Sequence, residues 1–314
     1  MKTDLKIVFM GTPDFAVPSL NALIDNGYNV VAVVTQPDKP VGRKMVLTPC
    51  PVKVAAMNKG VKVLQYAKIK NEGVGDLKEL TPDLIVTCAF GQILTQEIID
   101  IPRLGIINVH ASLLPEYRGA APIQWAVING DKRTGVSIMK TEIGIDTGAV
   151  VQVEETPIYE DETSGELFDR LSEIGATALI EAIGKIENGT AVWTSQDESK
   201  ATHVKMIKKE DGVIEWNKTP QEIHDFVRGM NPWPCAYTGL FGEPLKIWKV
   251  EKSAVAFDVP AGTVVTANCK DGLTVACKNG SVKISELQKS GGKRMDANAF
   301  LLGNTIEIGT VLKI

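Results

Sequence analysis

Short apolar runs that alternate with helix patterns constrain the fold of this 314-residue chain more than any other feature. The runs are Lys6–Met10, Val30–Thr35, Val61–Leu64, Leu84–Phe90, Ile106–Val109 and Val136–Met139. They are rich in β-branched residues, as is typical of strands that a parallel sheet buries on both faces. Helical patterns between them end at glycines such as Gly27 and Gly60. The first half is therefore predicted to be α/β, a Rossmann-like, doubly wound and mostly parallel sheet that binds its ligand at the carboxyl ends of the strands.

The second half of the chain has a different pattern. Thr163–Glu166 and Thr219–Glu222 are capping boxes that predict two helix starts, and the first of these helices ends near Gly189. From Ala236 onward only short apolar runs separated by turns remain, and Asn279-Gly280 between two of them predicts a hairpin. This pattern favours a small β-barrel or sandwich. We predict a first domain over residues 1–189, a linker over 190–206 and a β-rich domain over 207–314.

Composition limits the classes of partner. Hydrophobic residues make up 44% and charged residues 23%, which excludes a disordered or fibrous chain. The apolar runs fall short of the roughly 20 residues that a membrane span needs, and the N-terminus lacks the apolar core of a signal peptide, so we expect a cytoplasmic protein without a membrane partner. Net charge is −4 overall, but from Lys205 onward 15 basic residues face 12 acidic ones. That asymmetry favours an anionic partner for the second half.

Two kinds of ligand site are disfavoured. The five cysteines are odd in number and lack C-x-x-C spacing, so no metal site and no disulfide framework is expected. The turn at Gly11-Thr-Pro-Asp14 stands where a dinucleotide enzyme has G-x-G-x-x-G, which is absent here. Its proline also removes an amide that would hold pyrophosphate, so NAD binding is not expected.

Polar side chains at the ends of two neighbouring strands are the main candidates for catalysis. Asn108 and His110 follow an apolar run at positions i and i+2, so they share one face about 6.6 Å apart. Asp146 lies in the turn Gly144-Ile-Asp-Thr-Gly148 after the next strand. Acyl transfer to an amine needs a donor to the oxygen that becomes anionic, a proton relay and a carboxylate that supports the relay. Asn108, His110 and Asp146 can provide these three services in that order.

Ordinary structural roles remain open for the same residues. An Asn-x-His pair at a strand end is more often structural than catalytic, and a Gly-x-Asp-x-Gly turn is usually only a turn. The residues alone do not decide between the two interpretations.

The surrounding sequence resembles the folate-dependent formyltransferases. The resemblance rests on Asn108-Val-His-Ala-Ser-Leu-Leu-Pro115, Tyr117-Arg-Gly-Ala-Ala-Pro-Ile123, Gly135–Met139 and the Asp146 turn. The segments Gly11–Ala16, Pro49–Lys53, Phe90–Gln92 and Asn231–Tyr237 extend it over essentially the whole chain, and among these enzymes it is most similar to those that act on methionyl-tRNA. It implies formyl transfer from 10-formyltetrahydrofolate, as co-substrate, to an initiator methionyl-tRNA.

The resemblance also assigns roles to single residues. It makes Asn108, His110 and Asp146 the catalytic trio. It places the tetrahydrofolate against two segments, whose members are Ser112, Leu113, Leu114, Pro115, Phe90, Gly91, Gln92 and Ile93.

The resemblance further implies that the C-terminal domain is an OB-like β-barrel that follows the tRNA backbone, in a protein expected to act as a monomer. Arg43 lies in a proline-rich loop whose basic residue meets the acceptor arm in the family. The other candidate tRNA contacts are Lys208, Lys209 and Lys246, with Lys205 and Lys249 beside them.

Two alternatives remain. One keeps the chemistry and changes the amine to glycinamide ribonucleotide or an amino-sugar nucleotide. The other is a tRNA-binding protein that kept the fold without catalysis.

Overall fold

The computed structural model describes residues 4–42 and 44–313, and it divides into two compact units. The first unit is built from Met1–Gly119, Arg133–Pro157 and Phe168–His203. The second is built from Ala120–Lys132, Ile158–Leu167 and Val204–Ile314. The chain therefore enters the second unit twice before it reaches the β-rich half.

Up to Val204, the described residues form strands, α-helices and two short 3-10 helices, at Asp14–Ala16 and Glu198–Lys200. The strands are β1 (Lys6–Gly11), β2 (Asn29–Thr35), β3 (Lys39–Val41), β4 (Val46–Thr48), β5 (Val63–Gln65), β6 (Leu84–Cys88), β7 (Ile106–His110), β8 (Arg118–Gly119), β9 (Arg133–Lys140), β10 (Val150–Pro157) and β11 (His203–Val204). The helices are α1 (Val17–Asp25), α2 (Pro51–Asn58), α3 (Ile69–Glu72), α4 (Val74–Leu80), α5 (Gln96–Ile99), α6 (Pro122–Ile128) and α7 (Ser164–Glu187).

A seven-stranded sheet in the order β10-β9-β7-β6-β1-β2-β5 forms the centre of the first unit. Five neighbouring strands, β7, β6, β1, β2 and β5, run parallel to one another. Strand β9 pairs antiparallel with both β7 and β10. Every residue of β6 and residues Ile7–Met10 of β1 are buried, as expected for strands covered on both faces. The prediction of an α/β fold with a mostly parallel sheet is confirmed. The two β-branched runs at its centre bring the carboxyl ends of β6 and β7 to one edge.

Helix α7 packs closely against the strand that carries Asn108 and His110. The capping box predicted at its start is present, since Thr163 N–H donates to Glu166 Oε2 and Glu166 N–H donates to the Thr163 hydroxyl. At Gly175 a side chain would meet Val109 Cγ1 at 2.9 Å. A glycine is therefore required where the helix crosses β7.

The second unit contains a β-sheet and two further helices. Its strands are β12 (Ala236–Leu240), β13 (Glu243–Ser253), β14 (Val264–Asn268), β15 (Gly272–Cys277), β16 (Gly280–Lys289) and β17 (Met295–Asp296), and its helices are α8 (Pro220–Gly229) and α9 (Ala297–Gly303). The antiparallel order is β12-β13-β16-β15-β14, with β17 paired to β16. Within the part of the chain that the structure describes, the strand pairs form an open sheet, so the OB-like barrel stays a prediction.

The predicted hairpin is present, with a turn one residue earlier than the Asn-Gly pair suggested. Cys277 pairs with Gly280, so Lys278 and Asn279 form the turn, and Asn279 has a φ of 59°. Gly280 begins β16, where a Cβ would meet the Ser253 carbonyl oxygen at 2.6 Å. This glycine permits a close approach of two backbones rather than a left-handed turn.

Helix α6 belongs to the core of the second unit, although it is far from the β-rich half in sequence. Ala121, Trp125 and Ile128 pack against a core that includes Ile223, Val227 and Ile247. The Trp125 indole N–H donates to the Lys205 carbonyl at 2.8 Å. The second unit therefore needs residues 120–132 to complete its core.

A search of the described residues for a helix long and apolar enough to cross a membrane finds none.

Two glycines of α7 predict opposite effects of the same substitution. Gly175→Ala should destabilise the protein by about 1–3 kcal/mol, because the new methyl group overlaps Val109. Gly184→Ala should stabilise it by about 0.5–1 kcal/mol, because open space surrounds that position and alanine favours a helix. Urea unfolding of both variants measures the two changes. Equal effects of the two substitutions would contradict the close approach of α7 to β7.

Candidate active site

The candidate catalytic side chains lie where β6 and β7 end. Asn108 and His110 are on β7, and Thr87 of β6 stands beside Asn108 in the parallel register. The loops that follow these strands contain Phe90–Ile93 and Ser112–Pro115. This edge is the position at which open α/β sheets bind their ligands.

The Asn108 amide is held in one orientation by Thr87. The Thr87 hydroxyl donates to Asn108 Oδ1 at 2.8 Å and lies farther, 3.2 Å, from the Ile107 carbonyl oxygen. Because this bond uses the oxygen end of the amide, the Nδ2 hydrogens remain to donate at the strand end. Thr87 is buried, so water does not compete for the bond.

The ring of His110 has a defined tautomer. Its Nε2 lies 3.0 Å from the Tyr117 carbonyl oxygen. A carbonyl oxygen only accepts hydrogen bonds, so Nε2 carries the proton and donates. Nδ1 is then the nitrogen that can take up or release a proton, and it faces Asp146 Oδ2 at 3.7 Å.

Asp146 occupies a strained turn that aims its carboxylate at His110. Its φ of 54° is left-handed, an uncommon conformation for a residue other than glycine. The Gly119 N–H donates to Asp146 Oδ2 at 2.8 Å, which holds the oxygen that faces the imidazole. At Gly148 a Cβ would lie 1.8 Å from the Lys140 carbonyl oxygen, so the turn also depends on glycine there. At 3.7 Å, His110 Nδ1 and Asp146 Oδ2 are at ion-pair distance rather than hydrogen-bonded, so the Asp146 carboxylate can stabilise the positive charge of a protonated His110.

The segment after β6 exposes backbone at the edge of the site. Phe90 is buried in the core, and its carbonyl accepts from Gln36 Nε2 at 3.0 Å. Gly91 has a φ of 75°, and Ile93 is 85% exposed. The Gln92 amide accepts from Ile69 N–H and donates to the Tyr66 carbonyl, so its side chain shapes the loop. Of the four residues Phe90–Ile93, Gly91 and Ile93 are thus the two that are exposed to solvent.

The segment after β7 is held by two serines. The buried Ser112 hydroxyl donates to the Glu116 carbonyl at 2.6 Å. The Ser137 hydroxyl donates to the Ser112 carbonyl and accepts from Leu114 N–H. Leu113, Leu114 and Pro115 are half-buried. Ser112 therefore shapes this segment, while the next three residues supply its accessible surface.

Arg118 is a buried cation beside the Asp146 turn. Its side chain is 1% exposed, and it donates to both carboxylate oxygens of Glu198 at 2.9 and 2.6 Å. The hydrogen bonds that Arg118 donates to Glu198, and the nearby Glu198 and Asp146 charges, raise the pKa of the Arg118 guanidinium above its ordinary value. Arg118 stays charged, and the charge is matched by two carboxylates.

The structure describes three of the four candidate tRNA contacts. Arg43 lies outside the described residues. Lys208 and Lys209 are exposed, with Lys208 4.0 Å from Glu210. The ammonium group of Lys246 lies 5.8 Å from the centre of the Trp248 ring. These lysines belong to the second unit.

Three contributions to the site were not predicted from the sequence. Thr87 is the one hydroxyl side chain within the apolar run Leu84–Phe90, and that contrast was a usable signal. The Tyr117 carbonyl accepts from His110, and the Gln196 amide donates to the Asp146 carbonyl at 2.8 Å. Neither carries such a signal, because a backbone group and a glutamine in a polar stretch belong to no pattern. Over residues 4–42 and 44–313, no group of three His, Cys, Asp or Glu side chains is arranged to hold a metal ion.

Comparisons with known proteins agree over both halves of the chain. A family model described as formyl transferase matches residues 5–183, and a model of the formyl transferase C-terminal domain matches residues 206–305. The methionyl-tRNA formyltransferase of Ruminiclostridium cellulolyticum is 47% identical over 311 residues, covering 98% of this chain and 99% of that protein. The one from Bacillus cereus is 50% identical over 310 residues, covering 98% of each.

A solved structure shows the same fold at low identity. The N-formyltransferase from Helicobacter canadensis, in complex with folinic acid and dTDP-3-aminofucose, aligns with a TM-score of 0.68 at 19% identity. The alignment covers 91% of this chain and 99% of that one.

The His110 tautomer is a direct prediction of this geometry. Nitrogen-15 spectra should show neutral His110 protonated at Nε2, because only a protonated Nε2 can donate to the Tyr117 carbonyl. The chain has three histidines, so spectra of His203→Gln and His224→Gln variants assign the signals. Neutral His110 protonated at Nδ1 would contradict the arrangement.

Proposed function

The chain belongs to the methionyl-tRNA formyltransferase family, and from that membership we propose that it transfers the formyl group of 10-formyltetrahydrofolate to the α-amino group of methionine on initiator tRNA. The observation that carries the proposal is identity of 47–50% across 98% of the chain, including the β-rich half. The product is formylmethionyl-tRNA, which serves translation initiation. A glycinamide ribonucleotide or amino-sugar substrate, and a tRNA-binding protein without catalysis, are not favoured, because relatives named methionyl-tRNA formyltransferase match nearly the whole chain.

In the proposed mechanism Asn108 stabilises charge. As the methionine amine adds to the formyl carbon, the formyl oxygen becomes negative and the Asn108 Nδ2 hydrogens donate to it. Thr87 supports this role because it fixes the amide in the donating orientation before the substrate arrives. Preorganised donors of this kind lower the barrier without reorganising during the reaction.

His110 and Asp146 manage the proton. The attacking nitrogen loses a proton as its bond to the formyl carbon forms, and the leaving nitrogen gains one as its own bond to that carbon breaks. The unprotonated His110 Nδ1 and the facing Asp146 carboxylate can hold this proton between the two steps. No serine or cysteine nucleophile is required, since the amine attacks directly.

The folate donor supplies the activated formyl group. The exposed backbone at Gly91, the exposed Ile93 side chain and the half-buried Leu113–Pro115 fit a flat ring held by backbone and apolar contacts. We assign Phe90, Gly91, Gln92, Ile93 and Ser112–Pro115 to this site, with Gln92 and Ser112 acting through the shape of their loops.

The tRNA contacts and the domain division remain proposals. Arg43, Lys208, Lys209 and Lys246 are proposed to meet tRNA phosphates, and the charge balance of +3 from Lys205 onward supports this. Domains over residues 1–189 and 207–314 with a linker over 190–206 are supported by the two matched family models. An OB-like C-terminal barrel, action as a monomer and a cytoplasmic location complete the proposal.

A substrate panel tests the function. Purified protein with 10-formyltetrahydrofolate should formylate charged initiator tRNA and leave glycinamide ribonucleotide and amino-sugar nucleotides unchanged. Asp146→Asn should lower the rate by about 10²–10⁴, because an amide cannot hold the proton although its oxygen can still accept from Gly119 N–H. Radiolabelled formyl transfer measures both. Preferential turnover of a sugar nucleotide, or a near-normal rate for Asp146→Asn, would contradict the proposal.

The role of Thr87 gives a separate prediction. Thr87→Val removes the hydroxyl that orients Asn108 and should lower kcat about tenfold, since the amide is then free to rotate. Thr238→Val is the matched control, because Thr238 is also a buried strand threonine, and it accepts a hydrogen bond from the Trp216 indole. Single-turnover formyl transfer at saturating substrates measures the effect. If both variants retain the same kcat, Thr87 has no orienting role.

A further inference from the structure

The segment Thr194–Thr202, here called the bracing segment, is bonded to the catalytic loops of the first unit. At its start, Thr194 and Val150 exchange two backbone hydrogen bonds of 2.9 Å. At its end, Thr202 N–H donates to the Pro115 carbonyl at 3.2 Å, and the Thr202 carbonyl accepts from Arg118 N–H at 2.9 Å. Between these ends the segment is mostly exposed, so it is not held by burial.

Gln196 makes four hydrogen bonds around the Asp146 turn. Its Nε2 donates to the carbonyl oxygens of Asp146 and Gly148, both at 2.8 Å. Its Oε1 accepts from Arg118 Nε and Nη2 at 3.0 and 2.8 Å. Both amide hydrogens and both lone pairs of the oxygen are used, so only one orientation of this amide fits. If the amide were flipped, its oxygen would face the two carbonyl oxygens and its NH₂ group would face the N–H groups of the Arg118 guanidinium.

The Gln196 bonds stabilise a backbone that is unfavourable without them. Asp146 has a left-handed conformation, which costs energy for a residue with a side chain. Gln196 bonds to the carbonyl of that same residue. Arg118, which Gln196 also binds, precedes the Gly119 N–H that holds Asp146 Oδ2. Gln196 thus stabilises both the backbone of Asp146 and the Arg118–Gly119 segment whose N–H holds the Asp146 carboxylate.

Thr202 acts in the same way on His110. The Thr202 hydroxyl accepts from Tyr117 N–H at 2.8 Å. The carbonyl of the same residue, Tyr117, accepts from His110 Nε2. Fixing the Tyr117 backbone therefore fixes the acceptor that sets the His110 tautomer.

We propose that Gln196 and Thr202 are positioning residues of the proton relay, so that the segment between the two family-matched regions aligns Asp146 and His110 for catalysis. The inference rests on the proposed function of those two side chains. Glu198 supports it, because its pairing with Arg118 fastens the middle of the bracing segment. Residues that sequence patterns assign to a linker thereby determine the geometry of the reacting groups.

Gln196→Glu separates the two kinds of bond that Gln196 makes. A carboxylate still accepts from Arg118, but it repels the Asp146 and Gly148 carbonyls to which the amide donated. We expect kcat for formyl transfer to fall about 10–100-fold, because small displacements of reacting groups have effects of this size. The KM values for charged tRNA and for folate should change less than about threefold, since neither substrate contact is altered.

Gln152→Glu is the matched control. Gln152 also donates to two acceptors, Glu154 and Glu181, and accepts from Lys185, away from the site. Thermal melting of both variants measures the loss of stability. A fall in kcat for Gln196→Glu that Gln152→Glu does not show supports the proposal, even where both melt earlier. Equal kcat values for the two variants would overturn it.

Thr202→Val provides a second test that does not depend on turnover. The substitution removes the acceptor of Tyr117 N–H and keeps both backbone bonds of Thr202. We expect faster hydrogen exchange at the Tyr117 amide and a shifted His110 Nε2 signal in nitrogen-15 spectra. Unchanged exchange and an unchanged signal would overturn the role of Thr202.

The same spectra separate failure of this inference from failure of the proposed function. If the unmodified protein does not formylate charged tRNA, the proposed function fails, while the His110 and Tyr117 signals still report whether the bracing segment positions them. If the unmodified protein is active and the Gln196→Glu and Thr202→Val variants match it in every readout, only the bracing inference fails.

Discussion

Parallel pairing of β6 with β7 is the constraint on which the rest of the site depends. It brings the carboxyl ends of both strands to one edge, and its register sets Thr87 beside Asn108. A shift of one residue would turn Asn108 and His110 to the opposite face of the sheet. The contact of α7 with Val109 at Gly175 favours this register, because a shift of one residue would turn a polar neighbour of Val109 toward the helix instead. Core packing and the direction of the Asn108 amide therefore depend on the same strand register.

The Asp146 carboxylate is positioned by a turn rather than by a strand. Asn108 and His110 belong to a strand, whereas Asp146 belongs to a left-handed turn that its own backbone disfavours. Such a turn persists only if its surroundings determine it. Here the Gly119 amide, the absence of a side chain at Gly148 and the Gln196 amide do so. A rigid strand and a supported turn together place His110 Nδ1 opposite Asp146 Oδ2.

The sequence predicted the elements that are determined by residues close together in the chain. Apolar runs gave the parallel sheet, capping boxes gave the starts of α7 and α8, and a strand-end pattern gave Asn108 and His110 as candidates. Two kinds of feature escaped prediction. The turn of the β15–β16 hairpin is one residue earlier than its Asn-Gly pair suggested, because close backbone approach determines Gly280. The partners of Gln196 lie about 50 and 80 residues away in the chain, and no local pattern encodes such bonds.

The interleaved construction of the second unit has a consequence for synthesis on the ribosome. Residues 120–132 supply Trp125 and Ile128 to a core whose other members come from α8 and the later strands. At roughly 5–20 residues per second, about eight to thirty seconds separate the emergence of α6 from that of the end of β16. Until α8 and the later strands have emerged, the apolar side of α6 lacks the partners that bury it in the complete second unit. We therefore expect the nascent chain to expose an apolar surface of the kind that chaperones recognise, and we expect folding yield to depend on translation speed between α6 and β16.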